Sequence, residues 1–291
     1  MGQLIRRVGE YLSLVKFSHT IFAMPFALLG FFTAVADGNS SFSLKLFLLV
    51  ILCMVFARNA AMAFNRFTDK HIDSLNPRTA IREIPKGKIS PKSALIFVIV
   101  NSILFIIAAG FINKLSLFLS PVALIVVLGY SVTKRFTALS HLVLGLGLSL
   151  APVGAYISVA GSFNLIPILY GMIVLTWVGG FDIIYSLQDI TFDISNKLFS
   201  IPAKTGVKMA IVISSLLHTF SIAVVTATGI INDSGIFYWS GAVAFSALLV
   251  WEHILIKPGD TNRINMAFGT INSLAGVVYS LLTIADLYIT L

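Results

Sequence analysis

Long stretches without a single charged residue constrain this chain more than any other feature of its sequence. An α-helix needs about 20 predominantly apolar residues to cross the hydrocarbon core of a bilayer. Only 11% of the residues are charged and 57% are apolar, whereas about a quarter of the residues of a soluble domain are charged. The chain therefore cannot cover itself with a water-compatible surface. Six charge-free stretches each have the length of one membrane span: 17–36, 93–113, 115–133, 209–232, 234–251 and 264–285.

Two further regions bring the number of predicted spans to nine. The charge-free stretch 136–181 is too long for one helix, and it divides at the turn-like residues 161–164. The region 42–64 is interrupted only by Lys45 and Arg58. The first of the six single stretches is longer than the apolar core of a signal peptide, which has about 7–15 residues, so we interpret it as a retained span. The sequence thus predicts an all-α integral membrane fold with nine transmembrane helices.

The basic residues indicate how these spans are oriented. Lys and Arg are concentrated in the cytoplasmic loops of membrane proteins. If the N-terminus is cytoplasmic, 18 of the 20 Lys and Arg lie on the inner side, and only Lys45 and Lys114 do not. We therefore predict a cytoplasmic N-terminus in a bacterial-type inner (plasma) membrane. The net charge of +8 is explained by these residues beside anionic lipid, and we expect no nucleic-acid partner.

Acidic residues are scarce, and five of the 12 fall into two clusters that each follow a predicted span. Polar residues recur every four positions in the first cluster, which predicts one face of a continuing helix: Asn65, Asp69 and Asp73. The second cluster has the spacing i, i+3, i+7 and i+11, again one helical face: Asp182, Tyr185, Asp189 and Asp193.

Two acidic faces at the edge of a membrane need a cation to compensate them. Like charges four residues apart repel one another and destabilise a helix. Hard oxygen ligands without a nearby cysteine suit Mg²⁺, which binds one or two carboxylates together with substrate phosphates. The alternative is that loop acids are balanced by neighbouring Lys and Arg. Two matched clusters, four spans apart and on the same side, favour a cation site and indicate a pseudo-repeated pair of four-helix units followed by a ninth helix.

Together with these clusters, several basic segments resemble the UbiA superfamily of membrane-embedded aromatic prenyltransferases. The resemblance covers nearly the whole chain, so we expect residues 1–291 to form a single transmembrane domain. It implies that the motif loops 65–92 and 182–206 form a cap on the cytoplasmic side, where the active site opens. The matching segments outside the acidic clusters are Lys16, Arg58, 82–87 and 130–135.

The resemblance also implies a reaction and a role for each residue. The family ionises a polyprenyl diphosphate with the help of Mg²⁺ and attaches the allylic group to an aromatic acceptor. One Mg²⁺ ion is expected at Asn65, Asp69 and Asp73, and a second at Asp182, Asp189 and Asp193. Tyr185 is expected beside the allylic cation. Substrate contacts are expected from six residues: Lys16, Arg58, Arg82, Tyr130, Lys134 and Arg135.

The sequence leaves the identity of the acceptor open. Arg58 lies about 10 Å deeper than Asn65 at 1.5 Å per residue, and a charge at that depth indicates a functional role. We assign it to the carboxylate of the acceptor, with a phosphate contact or an interfacial Arg as alternatives. Many 4-hydroxybenzoate enzymes of the family have Asp where this chain has Arg66, and residues 76–85 resemble a branch associated with dihydroxynaphthoate prenylation on the futalosine route to menaquinone.

Other function classes make different predictions. An ion-coupled transporter would have acids near the middle of the bilayer, whereas these acids lie at its edge beside basic loops. A soluble prenyl synthase is excluded by the apolar spans, and the Asp-Gly…Ala-Arg…Gly pattern of CDP-alcohol phosphotransferases is absent from the sequence. Prenyltransferases for haem, chlorophyll or lipid acceptors remain alternatives within the family. The expected partners are a polyprenyl diphosphate, an aromatic carboxylic acid and the lipid bilayer.

Overall fold

The computed structural model describes residues 9–15, 22–38, 41–256 and 260–289, and within these ranges the regular structure is entirely helical. Residues 9–14 are helical as well. The remaining helices are α1 Met24–Ala36, α2 Leu44–Thr68, α3 Lys70–Leu75, α4 Pro91–Ile112, α5 Lys114–Thr133, α6 Ser140–Ala160, α7 Leu165–Ser186, α8 Ile190–Ser195, α9 Ile201–Thr205, α10 Val207–Ile231, α11 Ile236–Leu255, α12 Thr261–Met266 and α13 Asn272–Ile289. A 3₁₀ turn, Leu187–Asp189, precedes α8, and a π-helical turn, Ala267–Ile271, joins α12 to α13.

Seven helices in the described part of the chain are long and apolar enough to cross a membrane. Each coincides with a span predicted from the sequence. The shorter α1 has 13 described residues, and part of the predicted first span, 17–21, lies outside the described residues. Helix α11 has 20 residues but is not among these seven, and its last turns carry Glu252 and His253. An all-helical, multi-pass membrane protein is therefore confirmed, whereas the number nine and the cytoplasmic N-terminus stay predictions.

The predicted division of the long charge-free stretch at 161–164 is confirmed, and local chemistry explains it. Gly161 ends α6 with φ 68° and ψ 8°, a left-handed conformation that glycine adopts without steric cost. Asn164 then caps α7, since its side-chain oxygen accepts a hydrogen bond from the Ile166 N–H and satisfies one of the free donors of the first turn. Two capping residues thus turn one apolar run into two helices.

The described chain divides into two compact units, one with Met1–Thr20 and Leu48–Val132 and the other with Ile21–Phe47 and Thr133–Leu291. In the first unit, a small core joins residues of the helix at 9–14, α2, α4 and the 76–90 loop: Leu14, Ala63, Ile84, Ile89, Ala94 and Val98. In the second unit, α7 is the central helix and packs against α6 and α10, while α1 packs on α6 and α13 packs on α11. Helix α1 therefore belongs to the second unit and not to the unit formed by α2–α5.

Small residues allow the helices of the second unit to approach closely. A Cβ atom on Gly145 of α6 would lie 2.3 Å from the Leu175 carbonyl oxygen of α7, and one on Gly180 of α7 would lie 2.3 Å from the His218 ring of α10. Both distances are far below van der Waals contact. Such small-residue contacts are typical of membrane helices, whose association depends on close packing because lipid supplies no hydrophobic driving force between them.

A buried polar network crosses the same unit and joins four of its helices. Trp177 Nε1 donates to Asn272 Oδ1 at 2.8 Å, and Asn272 Nδ2 donates to Glu252 Oε1 at 2.9 Å. His253 Nε2 lies 3.0 Å from His218 Nδ1, and His218 Nε2 lies 3.1 Å from the Trp177 carbonyl oxygen. Buried polar groups in hydrocarbon need such partners, so this network fixes the register of α7, α10, α11 and α13.

Candidate active site

The first acidic motif lies where α2 ends and α3 begins. Asn65 is in the last turn of α2, Asp69 joins the two helices, and Asp73 lies in α3. The prediction of one continuing helix is wrong at Asp69, whose φ of −90° and ψ of 7° fall in the bridge region. The helical i to i+4 hydrogen bonds nevertheless continue through Asp69. The Asp69 N–H donates to the Asn65 carbonyl at 3.0 Å, and the Asp73 N–H donates to the Asp69 carbonyl at 2.7 Å. Asn65 Nδ2 also donates to Asp69 Oδ2 at 3.1 Å.

The second acidic motif has the same local path. Asp182 and Tyr185 lie in the last turns of α7, Asp189 ends the 3₁₀ turn, and Asp193 lies in α8. A 3₁₀ helix has three residues per turn, whereas an α-helix has 3.6. The three residues of this turn therefore rotate α8 by about 60° relative to a continuous α-helix, and the predicted single helical face is interrupted. Asp189 has a φ of −105° and a ψ of 2°, close to the values of Asp69. The bridge region is sparsely populated and often holds active-site residues.

The resemblance between the two motifs extends three residues beyond their last aspartates. Asn76 follows Asp73 at i+3, and Asn196 follows Asp193 at i+3. Each asparagine ends its six-residue helix and donates its N–H to the carbonyl four residues before it. The shared pattern Asp-x-x-x-Asp-x-x-Asn is a sequence signal that could have supported the proposed repeat.

The last aspartate of each motif is buried and pairs with a cation. Asp73 is 4% exposed and Asp193 is fully buried. Arg82 Nη1 donates to Asp73 Oδ1 at 2.6 Å, and Lys134 Nζ lies 2.8 Å from Asp193 Oδ1. Oδ2 of Asp73 is buried without a hydrogen-bond partner, and neither buried oxygen of Asp193 has a partner besides the ion pair of Oδ1 with Lys134. A buried carboxylate oxygen without a partner is costly, so each motif carries an unsatisfied negative atom that a cation would stabilise.

The chemistry of this donor set fits Mg²⁺. No group of three or more His, Cys, Asp or Glu that could enclose a metal occurs among the described residues. Mg²⁺ does not require such a cage, because it commonly binds one or two carboxylates together with phosphate oxygens of a substrate. The unsatisfied oxygens of Asp73 and Asp193 are suitable ligands of this kind.

The basic residues predicted to bind phosphate lie beside the acidic motifs. Arg82 and Lys134 remain partly exposed, with 21% and 34% of the side-chain surface accessible, although each contacts an aspartate. Arg135 follows Lys134 in the exposed loop between α5 and α6. The loop after the second motif is tied to the same segment, since the Phe199 N–H donates to the Lys134 carbonyl oxygen at 2.8 Å.

Three more predicted substrate contacts concern the first unit. Arg58 lies inside α2, and its Nη1 donates to the Val15 carbonyl oxygen at 3.0 Å. Tyr130, near the end of α5, interacts electrostatically with Arg58. Lys16 lies outside the described residues. A deep guanidinium is therefore present as predicted, but it already holds a backbone carbonyl.

Arg66 departs from the family pattern in the sequence, and the structure gives it a specific environment. It lies in the last turn of α2, is 5% exposed, and has a buried Nε–H without a hydrogen-bond partner. Asp73, Arg82, Glu83 and Tyr130 interact with it electrostatically. The first motif thus has a buried guanidinium beside its last aspartate.

Sequence reasoning missed two residues that contact the second motif. His141 Nδ1, in the first turn of α6, lies 2.7 Å from Asp182 Oδ2. Phe268, in the π-helical turn, packs on Tyr185 with ring centroids 4.2 Å apart and planes 31° apart. Both are distant from the motif in sequence and carry no local spacing signal, so only the packing of α6 and the π-helical turn reveals them.

The chain matches a known protein family and is similar in sequence to named bacterial enzymes. Residues 23–274 match the model described as the UbiA prenyltransferase family. The 4-hydroxybenzoate octaprenyltransferase of Aliivibrio fischeri (strain MJ11) is 30% identical over 257 residues, which cover 87% of each chain. The protein of the same name from Nitrosomonas eutropha is 26% identical over 238 residues, covering 79% of this chain and 80% of that protein.

Solved structures share the fold over nearly the full length. A UbiA homologue from Aeropyrum pernix K1 superposes with a TM-score of 0.82 at 32% identity, covering 92% of this chain and 98% of that one. A UbiA homologue from Archaeoglobus fulgidus, bound to GPP and Mg²⁺, has a TM-score of 0.74 at 21% identity and covers 95% of this chain and 99% of its own.

Proposed function

The chain belongs to the UbiA prenyltransferase family, and on that premise we propose that it transfers a polyprenyl group from a prenyl diphosphate to an aromatic carboxylic acid in quinone biosynthesis. The proposed acceptor is 4-hydroxybenzoate or 1,4-dihydroxy-6-naphthoate. The names of the relatives support the first, for ubiquinone, and the departures at Arg66 and 76–85 support the second, for menaquinone. Haem, chlorophyll or lipid acceptors are the alternatives within the family.

The observation that carries this proposal is the matched pair of buried aspartates. Asp73 and Asp193 each have one oxygen beside a cation and one oxygen without a hydrogen-bond partner. A purely structural ion pair does not require a carboxylate oxygen that lacks a hydrogen-bond partner, yet such an oxygen occurs on the last aspartate of both motifs. A cation that arrives with the substrate supplies the missing partner at both positions.

We propose that two Mg²⁺ ions are held by the motif residues, one by Asn65, Asp69 and Asp73 and the other by Asp182, Asp189 and Asp193. When bound, Mg²⁺ neutralises charge that develops on the departing diphosphate. We propose that Arg82 beside the first motif, and Lys134 and Arg135 near the second, add positive charge to phosphate groups, and such preorganised charge is among the larger contributions to catalysis. Arg82 and Lys134 are each partly exposed, so each can contact a phosphate without leaving its aspartate.

The remaining residues act on the allylic group and the acceptor. Tyr185 is proposed to stabilise an allylic cation through the π electrons of its ring. Arg58 provides a guanidinium fork, which matches the geometry of a carboxylate, while Lys16 and Tyr130 complete the proposed substrate contacts. Placement within the bilayer keeps water from the cation.

We further propose a topology for the enzyme in a bacterial inner membrane. Nine spans with a cytoplasmic N-terminus account for 18 of the 20 basic residues by the positive-inside rule. Residues 1–291 would act as a single domain, with the loops 65–92 and 182–206 as a cap on the cytoplasmic side. The basic residues of both loops support this assignment, because the water-soluble diphosphate head group of the donor comes from that side.

Product analysis tests the proposed reaction. Purified protein is incubated with Mg²⁺, a polyprenyl diphosphate and either aromatic acid, and the mass of the product is measured. We expect a prenylated aromatic acid with one of the two acceptors and no product in EDTA. Transfer to neither acid, or turnover without a divalent ion, would contradict the proposal. A prenylated product with a lipid acceptor alone would indicate a branch of the family that uses lipid acceptors.

A further inference from the structure

His141 connects two parts of the second motif. Its side chain is 3% exposed and lies in the first turn of α6. Nδ1 lies 2.7 Å from Asp182 Oδ2, and Nε2 accepts a hydrogen bond from the Ile201 N–H at 3.3 Å. Ile201 is the first residue of α9, in the loop that follows the motif. One imidazole therefore holds both the motif carboxylate and the segment beyond it.

The backbone contact determines which ring nitrogen carries the proton. An amide N–H can only donate, so Nε2 of His141 must present its lone pair to Ile201. A neutral imidazole with a lone pair on one nitrogen has its proton on the other. Nδ1 therefore carries the proton and donates to Asp182 Oδ2.

A neutral donor has a different effect on Asp182 than a cation would have. Arg82 and Lys134 bring positive charge to Asp73 and Asp193, whereas the His141 N–H fixes the direction of the Asp182 carboxylate without adding a charge. The Asp182 side chain is 22% exposed, so water could satisfy it without help. The contact thus contributes orientation more than it relieves a buried charge.

We propose that His141 is a positioning residue that holds Asp182 in the orientation required to bind Mg²⁺ with the diphosphate of the donor. The inference rests on the proposed function, in which Asp182 is a metal ligand. Hydrogen-bond partners that orient metal ligands commonly contribute 10- to 100-fold in metal affinity or activity. The same ring positions the loop before α9 through Ile201, so the orientation of the ligand depends on that loop.

Two substitutions of His141 separate its two hydrogen bonds. The amide nitrogen of Asn occupies the chain position of Nδ1, so His141→Asn keeps a donor for Asp182 and loses the acceptor for Ile201. The amide of Gln reaches the position of Nε2, so His141→Gln keeps the acceptor and loses the donor. Each variant loses one hydrogen bond, and a purely structural role predicts the same result for both.

The readouts are the Mg²⁺ dependence of activity and, independently, the rise in the unfolding temperature on Mg²⁺ titration with inorganic diphosphate. We expect His141→Gln to require about 10- to 100-fold more Mg²⁺ in both measurements, and His141→Asn to stay within a few-fold of the wild type. Equal Mg²⁺ requirements for the two variants would overturn the inference.

Two controls keep the outcomes distinguishable. Asp182→Asn should abolish both responses to Mg²⁺. If either response remains in this variant, the proposed metal site fails. If Asp182→Asn loses both responses but His141→Gln responds to Mg²⁺ as the wild type does, only the role of His141 is refuted. If His141→Gln does not fold, ¹⁵N spectra of the histidines in the wild-type protein decide. A proton on Nδ1 of His141 supports the inference, and a proton on Nε2 contradicts it.

Discussion

Asp193→Asn tests the site at the atom where the structure is most specific. Unit charges 2.8 Å apart attract one another by about 6 kcal/mol at an effective dielectric constant of about 20. Desolvation of the fully buried carboxylate offsets most of this energy. Lys134 is 34% exposed and can return to water when its partner becomes neutral, so we expect the free energy of unfolding to fall by only about 1–3 kcal/mol.

Activity should fall much further than stability. The neutral amide introduced by this substitution cannot supply the negative charge that Mg²⁺ requires, and loss of metal-assisted charge neutralisation costs several kcal/mol. At 1.36 kcal/mol for each factor of ten, we expect kcat/KM to decrease by about 1,000-fold or more.

The assay compares kcat/KM with the unfolding temperature of the protein purified in detergent. Asp260→Asn is the matched control, because Asp260 forms an ion pair with Arg263 at 3.0 Å but is 39% exposed and lies outside both motifs. The control should retain wild-type kcat/KM. A folded Asp193→Asn protein within tenfold of the wild-type kcat/KM would refute the metal role of Asp193.

Three further substitutions test other parts of the molecule. Two cysteine variants in a Cys53→Ala background test the topology. A cysteine in place of the exposed Lys88 should react with an impermeant thiol reagent only from the cytoplasm, and one in place of the exposed Asn232 only from outside. Reaction of both cysteines from the same side would contradict the prediction of nine spans. Arg58→Lys should raise the KM of the aromatic acid much more than that of the donor, because Lys lacks the guanidinium fork, and equal changes would dismiss the carboxylate contact. Gly145→Ala should lower the unfolding free energy by about 1–3 kcal/mol through overpacking against a backbone carbonyl 2.3 Å from the new Cβ, and an unchanged thermal unfolding temperature would argue against this close helix contact.

Hydropathy and local spacing determined most of the fold. A charge-free run longer than a bilayer is thick must fold as a helix in lipid, because every backbone donor and acceptor needs an internal partner there. The division at Gly161 and Asn164 was likewise predictable, since turn and capping preferences are local. The two acidic motifs were visible for the same reason, as their members lie within a few turns of one another.

Tertiary packing decided features that these local rules do not contain. The breaks at Asp69 and at 187–189 were missed, because a regular helical spacing does not distinguish one helix from two helices joined by a bridge-region residue or a 3₁₀ turn. Helix α1 joins the second unit, although its sequence neighbour α2 lies mostly in the first.

The contacts that shape the site come from residues far away in the chain. His141 lies 41 positions from Asp182, and Phe268 reaches Tyr185 from the π-helical turn. The amino-acid order alone was enough to establish that helices cross a membrane and that two of them end in acids, because both properties depend on neighbours along the chain. The donors that orient those acids, and the oxygens that stay unsatisfied, emerged only from the folded structure, because such contacts depend on how distant helices pack.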